Sequence, residues 1–145
     1  MTDRPLPRRI LTVCLGNYCR SPFAAAVLSV RGGGALEVRS AGLLDLWVGG
    51  TAHPSMIAAA ADRGYDLSGH TPARVDRHLI DRADLVLAMD RSVLEELRAV
   101  GGAANERKLR LYLGDRDVPD PMGKPASAFA ECAAIIESGA DPYLP

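Results

Sequence analysis

Residues 13–22 are Val13-Cys14-Leu15-Gly16-Asn17-Tyr18-Cys19-Arg20-Ser21-Pro22. A largely apolar run at 9–13 leads into this segment and an Ala-rich run at 23–30 follows it, so the pattern predicts a strand, a loop and a helix. Such a loop directs successive backbone N–H groups and the positive end of a helix into one concavity, which suits a tetrahedral anion. We therefore interpret 13–22 as a phosphate-binding loop.

Five residues of this loop have types that fit cysteine-based phosphate chemistry. Gly16 gives the backbone room to turn, and Asn17 tolerates left-handed conformations. Cys14 is predicted at the bottom of the concavity, where the same dipoles favour the thiolate that attacks phosphorus. Arg20 is predicted to hold two phosphate oxygens with its planar guanidinium, and Ser21 to donate its hydroxyl to the sulfur. The loop therefore predicts a cysteine-dependent phosphatase.

The ordinary interpretation of Cys14 is a small apolar core residue near the end of a buried strand. A cysteine and an arginine six positions apart also occur together by chance. Against this, Pro22 follows the Arg-Ser pair directly, as expected for the first turn of a helix. A second, distant segment supports the functional interpretation independently.

This second segment is Asp115-Arg116-Asp117-Val118-Pro119-Asp120-Pro121. It follows the fourth predicted strand, so we expect it at the same carboxyl edge of a parallel sheet as the Cys14 loop. Displacing an alkoxide or phenoxide from phosphorus needs a proton donor, and the attacking water then needs a base. Asp120, between two prolines, is predicted to serve as both. Asp115 and Asp117 are expected only to form turns, which Asp favours.

Predicted strands and helices alternate along the chain. The pattern predicts strands at 9–13, 36–40, 84–89 and 108–113, and helices at 22–31, 54–63, 76–81, 91–100 and 126–138. This alternation predicts a three-layer α/β fold, in which helices cover both faces of a four-stranded parallel sheet and ligands bind outside the carboxyl ends of the strands. We expect residues 1–145 to form a single domain, and 140–145 to form a flexible tail.

Composition and charge limit the classes of function. With 48% apolar and 24% charged residues, the 145-residue chain has an ordinary globular composition. A net charge of -1 gives no general attraction to nucleic acid or to anionic membranes. Residues 1–9 contain two prolines and no apolar run, so we expect neither a signal peptide nor a membrane anchor.

The cysteines and histidines narrow the chemistry further. They are Cys14, Cys19, Cys132, His53, His70 and His78. Three cysteines are too few for a disulfide framework, which indicates a reduced, cytoplasmic setting. None of the spacings matches a common metal-ligand pattern, so no metal ion is expected. Cys132, on the apolar face of a predicted helix, is expected in the core.

The sequence resembles the low-molecular-weight protein tyrosine phosphatases almost from end to end. Residues 14–22 match the family pattern Cys-x-Gly-Asn-x-Cys-Arg-Ser-Pro at every fixed position. Asp120, followed by proline, matches the Asp-Pro loop of the family near the carboxyl terminus. Residues 40–42, 68–74 and 89–90 are similar to three further segments of the family.

The resemblance implies a mechanism and a set of site residues. Cys14 attacks the phosphoester in line, Asp120 protonates the leaving group, and water activated by Asp120 hydrolyses the cysteinyl-phosphate, with no cofactor. Ser40 and His70 are implied to hydrogen-bond to Asn17 and hold the loop open. The residues implied to bind phosphate or to support the loop are Leu15, Gly16, Asn17, Tyr18, Cys19, Ser21, Ser40 and His70. The implied substrate is a phosphorylated protein, with phosphotyrosine favoured, and inorganic phosphate is a product.

Cys19 offers a means of protecting the nucleophile. It lies five residues after Cys14 in one loop, so an oxidised Cys14 could be trapped as a Cys14–Cys19 disulfide instead of being oxidised irreversibly. The alternative is that Cys19 only packs beneath the loop.

The departures from the family pattern lie in the substrate wall. We predict this wall from Tyr18, Leu46, Trp47 and Met122, where family members that act on phosphotyrosine arrange aliphatic and aromatic residues differently. Tyr18 and Trp47 could still sandwich a phenyl phosphate, with Met122 as a flexible apolar lip. Phosphoarginine in proteins, the substrate of related bacterial protein-arginine phosphatases, and small phosphorylated molecules stay open as alternatives.

Two further classes fit the sequence less well. Thioredoxin-linked arsenate reductases share the fold and the Cys-x5-Arg loop, but they need further redox cysteines, and 82–90 contains none. A non-catalytic phosphate-binding module would not keep both Cys14 and Asp120. The sequence leaves the oligomeric state open.

Overall fold

The computed structural model describes residues 6–145. The expectation of neither a signal peptide nor an anchor concerns residues 1–9, most of which lie outside the described residues. Within 6–145, no helix is both long and apolar enough to cross a membrane.

A four-stranded parallel sheet lies at the centre of the fold. Its strands are β1 (Arg8–Cys14), β2 (Leu36–Gly42), β3 (Leu85–Ala88) and β4 (Leu109–Leu111). They lie in the order β2-β1-β3-β4, and each neighbouring pair is parallel. The predicted parallel sheet is therefore confirmed, although β4 is shorter than expected.

Helices connect these strands. The α-helices of the described chain are α1 (Arg20–Gly32), α2 (Pro54–Asp62), α3 (Arg77–Arg82), α4 (Arg91–Gly101) and α5 (Ala126–Ser138). Each coincides with a predicted helix to within a few residues. Short 3-10 helices at Gly33–Ala35, Ala103–Lys108 and Asp141–Tyr143 were not predicted.

The helices cover both faces of the sheet. Successive residues of a strand point to opposite faces, so each face has its own cluster of buried side chains. Ile10 of β1 packs in a buried cluster with Phe23 of α1 and Phe129 of α5. The next residue, Leu11, packs in a second cluster with Leu97 of α4. All five side chains are at most 2% exposed. Two cores on either side of one sheet give the predicted three layers.

The fold brings two loops to the same edge of the sheet. β1 lies between β2 and β3, where the strand order reverses, and ligands of open α/β sheets usually bind outside the carboxyl ends of the strands at such a point. β1 ends at Cys14 and α1 begins at Arg20, so the loop between them opens into this crevice. The Asp120 segment follows β4 at the same edge.

The end of the chain differs from the predicted flexible tail. Asp141–Tyr143 forms a short helix, and the Tyr143 hydroxyl donates to the backbone carbonyl of Tyr112. The two tyrosine rings also pack together, with centroids 5.6 Å apart. The prediction of a mobile tail was wrong because it rested on proline content and did not allow for a tyrosine that anchors the segment to the core.

Candidate active site

The segment between β1 and α1 forms a tight loop around Cys14. Asn17 has a φ of 53°, a left-handed conformation that its residue type tolerates. Gly42 of β2 lies directly beneath the loop, since a Cβ there would come within 2.6 Å of the Asn17 backbone nitrogen. Cys19 occupies the N-cap of α1 without a side-chain cap bond, which leaves the first N–H groups of the helix for an anion.

Asn17 holds this loop through both ends of its side-chain amide. Its Nδ2 donates to Oγ of Ser21 at 2.8 Å, and its Oδ1 accepts from the backbone N–H of Ala73 at 2.9 Å. Its backbone carbonyl oxygen lies 2.9 Å from Nε2 of His70. Because Asn17 is fully buried, these bonds satisfy groups that water cannot reach. The structure thus places His70 against the loop. It also shows a bond from the backbone N–H of Ala73, which was not predicted.

Ser40 does not take the position that the resemblance implied. Within the described chain, the side-chain amide of Asn17 bonds to Ser21 and Ala73 and not to Ser40. The strand explains the difference, since Gly42, two residues further along β2, is the residue that lies beneath the loop. The expected Ser40–Asn17 hydrogen bond is therefore replaced by the bond from Ala73.

His70 is half-buried, and burial lowers the pKa of its imidazole below the usual value. The hydrogen bond to the Asn17 carbonyl acts in the opposite direction but does not cancel this effect. A neutral imidazole with its proton on Nε2 donates to that carbonyl. The neutral form of His70 is therefore sufficient to hold the loop.

The sulfur of Cys14 lies 3.0 Å from Oγ of Ser21, and both residues are buried. Oγ of Ser21 already accepts from Asn17, so its own proton is free to point at the sulfur or at the Ala41 carbonyl, 3.3 Å away. A hydroxyl proton directed at sulfur stabilises the thiolate. This arrangement can hold a nucleophilic thiolate and can receive it again as a leaving group.

Arg20 is a nearly buried cation held by oxygens from three segments. Its Nη1 donates to Oδ2 of Asp90 and to the backbone carbonyl of Val118, both at 2.8 Å. Its Nη2 lies 3.7 Å from Oδ2 of Asp120. Burial alone lowers the pKa of Arg20, but Cys14 and the bond to Asp90 raise the pKa overall. The guanidinium is therefore a fixed positive charge beside the sulfur.

Asp120 combines contact with the site and access to solvent. Its Oδ2 faces Arg20, while its Oδ1 accepts from the backbone N–H of Met122 at 3.1 Å. Its side chain is 40% exposed, so the carboxyl group can exchange a proton with water or with a bound substrate. The geometry is suitable for a general acid and base.

Arg91, at the start of α4, anchors the loop that carries this acid. Its backbone N–H donates to Oδ1 of Asp117 at 2.9 Å, and its Nη2 donates to the carbonyl of Asp115 at 2.7 Å. The N–H of Val118 donates to the carbonyl of Met89 at 2.8 Å. Asp115 and Asp117 thus position the loop from outside the cleft.

One cleft of about 270 Å³ unites the predicted catalytic side chains with a wall. Its lining includes Cys14, Arg20, Asp120, Tyr18, Trp47 and Met122. The Tyr18 and Trp47 rings are stacked on each other, with centroids 4.5 Å apart and an angle of 4° between the planes. No phenyl ring fits between them, so the expected sandwich of a phenyl phosphate is corrected to a stacked pair that forms one side of the cleft. Trp47 also covers Gly16, where a Cβ would come within 2.2 Å of the indole. Any side chain at 16 would push the wall away.

Leu46 is the predicted wall residue that the structure does not bring to the cleft. It is 70% exposed and does not line the cleft, whereas Met122 lines it and is 38% exposed. Leu46 and Trp47 are neighbours in a turn, and the turn directs the Trp47 ring inward and leaves the leucine in solvent. The prediction is corrected accordingly.

The other two cysteines are buried free thiols. Burial raises the pKa of Cys19, and the nearby Cys14 raises it further. Burial likewise raises the pKa of Cys132 to about 12. Both thiols are therefore protonated near neutral pH, and neither competes with Cys14 as a nucleophile. The Cys14–Cys19 disulfide stays a prediction.

Four contributors to the site were not predicted in these roles, namely Gly42, Ala73, Asp90 and Val118. Asp90 follows a buried strand at the carboxyl edge, and the same signal located Asp120, so the sequence contained a reason to select it. Ala73 and Val118 act through a backbone N–H and a backbone carbonyl. Since nearly every residue type supplies these groups, no sequence pattern identifies them.

Comparisons with known proteins agree with this geometry. The model of the low molecular weight phosphotyrosine protein phosphatase family matches residues 9–144. A probable low molecular weight protein-tyrosine-phosphatase, EpsP from Ralstonia nicotianae, is 37% identical over 95% of this chain and 94% of its own length. Wzb from Escherichia coli K12, a low molecular weight protein-tyrosine-phosphatase, is 35% identical over 90% of this chain and 89% of its own. The structure of Vibrio vulnificus Wzb in complex with benzylphosphonate has a TM-score of 0.88 at 28% identity, covering 94% of this chain and 96% of that one. The chain therefore belongs to the low molecular weight phosphotyrosine protein phosphatase family.

Proposed function

We propose that this chain hydrolyses phosphotyrosine in proteins through a cysteinyl-phosphate on Cys14. The observation that carries the proposal is the single cleft in which Cys14, Arg20 and Asp120 meet beside the stacked rings of Tyr18 and Trp47. A thiol, a fixed cation and a carboxyl group are what phosphoryl transfer to sulfur and then to water needs. The relatives named protein-tyrosine-phosphatases support the substrate class.

In the first step, the Cys14 thiolate forms a bond to phosphorus while the bond from phosphorus to the tyrosine oxygen breaks. Arg20 holds two of the other phosphate oxygens and stabilises their charge. Asp120, in its protonated form, gives its proton to the departing oxygen. Tyrosine therefore leaves as a neutral phenol.

In the second step, Asp120 is a carboxylate and takes a proton from water as the water oxygen attacks phosphorus. The bond between sulfur and phosphorus breaks, which releases inorganic phosphate and restores the Cys14 thiolate. Ser21, with its Oγ 3.0 Å from the sulfur, stabilises that thiolate as the leaving group. Asp120 regains its proton, so the cycle needs only water and the phosphoester.

The wall supports an aryl phosphate. Trp47 fixes the Tyr18 ring in a parallel stack, and aromatic pairs contribute about 0.5–1.5 kcal/mol beyond the area that they bury. Met122, at the edge of the cleft, adds a flexible apolar contact. A guanidinium also stacks on aromatic faces, so phosphoarginine is the comparison substrate for the test.

The proposal also includes a cytoplasmic location. Cys14 must stay reduced to act as a nucleophile, and Cys14, Cys19 and Cys132 are free thiols. Reducing compartments keep such thiols from forming disulfides.

The test measures phosphate release from a phosphotyrosine peptide and from a phosphoarginine peptide of otherwise identical sequence. We expect release from the phosphotyrosine peptide alone, and none with the Cys14→Ser variant, which still binds inorganic phosphate. Release from the phosphoarginine peptide alone would contradict the proposed substrate. Turnover by Cys14→Ser at the rate of the unaltered enzyme would contradict the mechanism.

A further inference from the structure

A second depression adjoins the catalytic cleft at Leu15. We call it the Leu15 groove, and its apolar lining is Leu15, Leu43, Leu44, Val75 and Val100. Leu15 lines both the groove and the cleft, so the two depressions adjoin at this side chain. The empty space at the groove, together with the open solvent above it, is about 850 Å³, against about 270 Å³ at the cleft. It therefore has room for a large side chain beside the phosphate site.

Backbone hydrogen bonds fix the groove relative to the nucleophile. The N–H of Leu43 donates to the carbonyl of Cys14 at 3.2 Å, and the N–H of Leu44 donates to the carbonyl of Leu15 at 2.9 Å. On the far side, the N–H of Val75 donates to the carbonyl of Gly42 at 2.7 Å. The apolar floor is thus bonded to the loop that carries the reacting sulfur, and the spacing between groove and sulfur is set by the fold.

The groove exposes apolar side chains side by side. Leu15 is 42% exposed, Leu44 38% and Val100 36%. Single exposed apolar residues are common on proteins, so these three count as one feature only because they line the same depression. The polar lining is Arg74, Ser92 and Glu96, all of them exposed.

We propose that the Leu15 groove binds an apolar side chain of the phosphoprotein substrate, close in sequence to the phosphotyrosine. This inference rests on the proposed function. The occupant follows from the shared residue, because a substrate chain whose phosphotyrosine fills the cleft leaves it across the rim, and Leu15 belongs to both the cleft and the groove. An extended chain advances about 3.3 Å per residue, so the three positions on each side of the phosphotyrosine cover roughly 10 Å of the surface around the cleft.

The opposite charges of Arg74 and Glu96 fit a polypeptide better than a single small ion. Arg74 has one weak ion pair, with Oδ2 of Asp45 at 4.0 Å, and both of these side chains are more than 60% exposed. Its guanidinium is therefore available to an acidic group or a backbone carbonyl of the substrate. The lining therefore matches a substrate segment in which a leucine or similar aliphatic residue lies next to an acidic group or a backbone carbonyl. The aliphatic side chain contacts the apolar residues of the groove, and the oxygen contacts Arg74.

The experiment compares phosphotyrosine peptides that differ at one position. A reference peptide carries serine at the three positions on each side of the phosphotyrosine, and leucine replaces one serine at a time. We expect at least one leucine peptide to have a kcat/KM about tenfold above the reference, mainly through a lower KM, since burying most of a leucine side chain exceeds the free energy equivalent to a factor of ten.

Two substitutions locate the preference. Leu44→Ser and Val100→Ser each remove an apolar side chain from the groove, and we expect the double variant to lower the leucine preference to about twofold or less. Free phosphotyrosine, which has no flanking residues, should be hydrolysed at the unaltered rate, which also shows that the variant is folded. Val30→Ser is the matched control, because Val30 is 68% exposed on α1 and does not line the groove.

The outcomes separate the two proposals. If p-nitrophenyl phosphate is hydrolysed but no phosphotyrosine peptide is, the proposed function fails and this inference fails with it. If the peptides are hydrolysed but kcat/KM is the same for every flanking residue, the proposed function stands and the groove inference is wrong. A leucine preference that survives in the double variant would also overturn the groove as its cause.

Discussion

Arg20 shows how single residues prepare the site for an anion. Its guanidinium is 3% exposed and already bonded to Asp90 and Val118, so the fold fixes its orientation. Donors that are oriented in advance need no reorganisation when charge develops on the phosphate oxygens. Asp120 lies at the other end of the same guanidinium, where its charge and its proton can change during the reaction. Arg20 is therefore held in a fixed orientation, while the carboxyl group of Asp120 stays accessible to substrate and water.

Replacing Asp120 tests this division of roles. We expect Asp120→Ala to lower kcat for a phosphotyrosine peptide by roughly 10²–10⁴-fold, the usual contribution of a general acid. A phenolate that leaves without a proton is poor, because the pKa of tyrosine is about 10. The measurement is the release of dephosphorylated peptide and of phosphate, followed both in the burst phase and in the steady state.

Asp115→Ala is the matched control for this variant. Asp115 belongs to the same loop and is exposed, but its contact with Arg91 uses the backbone carbonyl, so the substitution should leave kcat unchanged. For Asp120→Ala, the loss should be smaller with p-nitrophenyl phosphate, whose leaving group needs less protonation. An equal loss with both substrates would refute the role of Asp120 as the acid.

At the scale of elements, one carboxylate connects a helix to the site. Oδ1 of Asp90 accepts from the N–H of Val93 at 2.8 Å and caps α4, while Oδ2 holds Arg20. Asp76 caps α3 in the same way, through the N–H of Leu79 at 2.8 Å, but does not line the cleft. The two helices can therefore be compared directly. Asp76 only caps a helix, whereas Asp90 caps a helix and also holds Arg20 in the cleft.

We expect Asp76→Ala to lower the free energy of unfolding by about 0.5–2 kcal/mol, the usual cost of losing such a cap. Asp90→Ala should lower it by more, because this substitution also leaves the nearly buried Arg20 without its carboxylate partner. Only Asp90→Ala should also lower kcat/KM, by about tenfold or more, because a factor of ten requires only about 1.4 kcal/mol of lost binding to a displaced Arg20. Urea unfolding and steady-state kinetics measure the two effects. If both variants kept full activity, Asp90 would serve α4 alone.

Elements were easier to predict from the sequence than the contacts between them. Apolar periodicity is local, so it located the strands and the α-helices and placed the Cys14 and Asp120 loops at one edge. The pairing of Arg20 with Asp90 joins residues 70 positions apart, and no local pattern records such a distance. The family resemblance was sufficient to place Trp47 in the wall. It did not predict the stack on Tyr18, because that stack depends on the turn that leaves Leu46 in solvent.

At the scale of the whole molecule, the site is also a junction of the fold. The phosphate loop bonds to Ala73 and His70 on one side, and to the 115–121 segment through Arg20 on the other. Each of these segments leaves a different strand or helix, so the loop keeps its shape only while the surrounding fold is intact. The hydrogen bonds that hold the loop therefore couple stability to activity. Among the residues that make these bonds, His70 is the one whose protonation changes near neutral pH.

His70 should make the stability of the protein depend on pH. Its pKa is lowered in the folded protein, chiefly by burial, so below about 6.5, the usual pKa of histidine, the unfolded chain binds more protons than the folded one. The free energy of unfolding is then greatest above that pH and falls as the pH drops through the lowered pKa of His70. We expect His70→Gln, which cannot titrate, to show a smaller fall between about pH 6.5 and pH 5 in urea unfolding. His78→Gln is the matched control, because it removes a histidine that lies exposed on α3. Equal slopes for the unaltered protein and His70→Gln would show that another group carries the pH dependence.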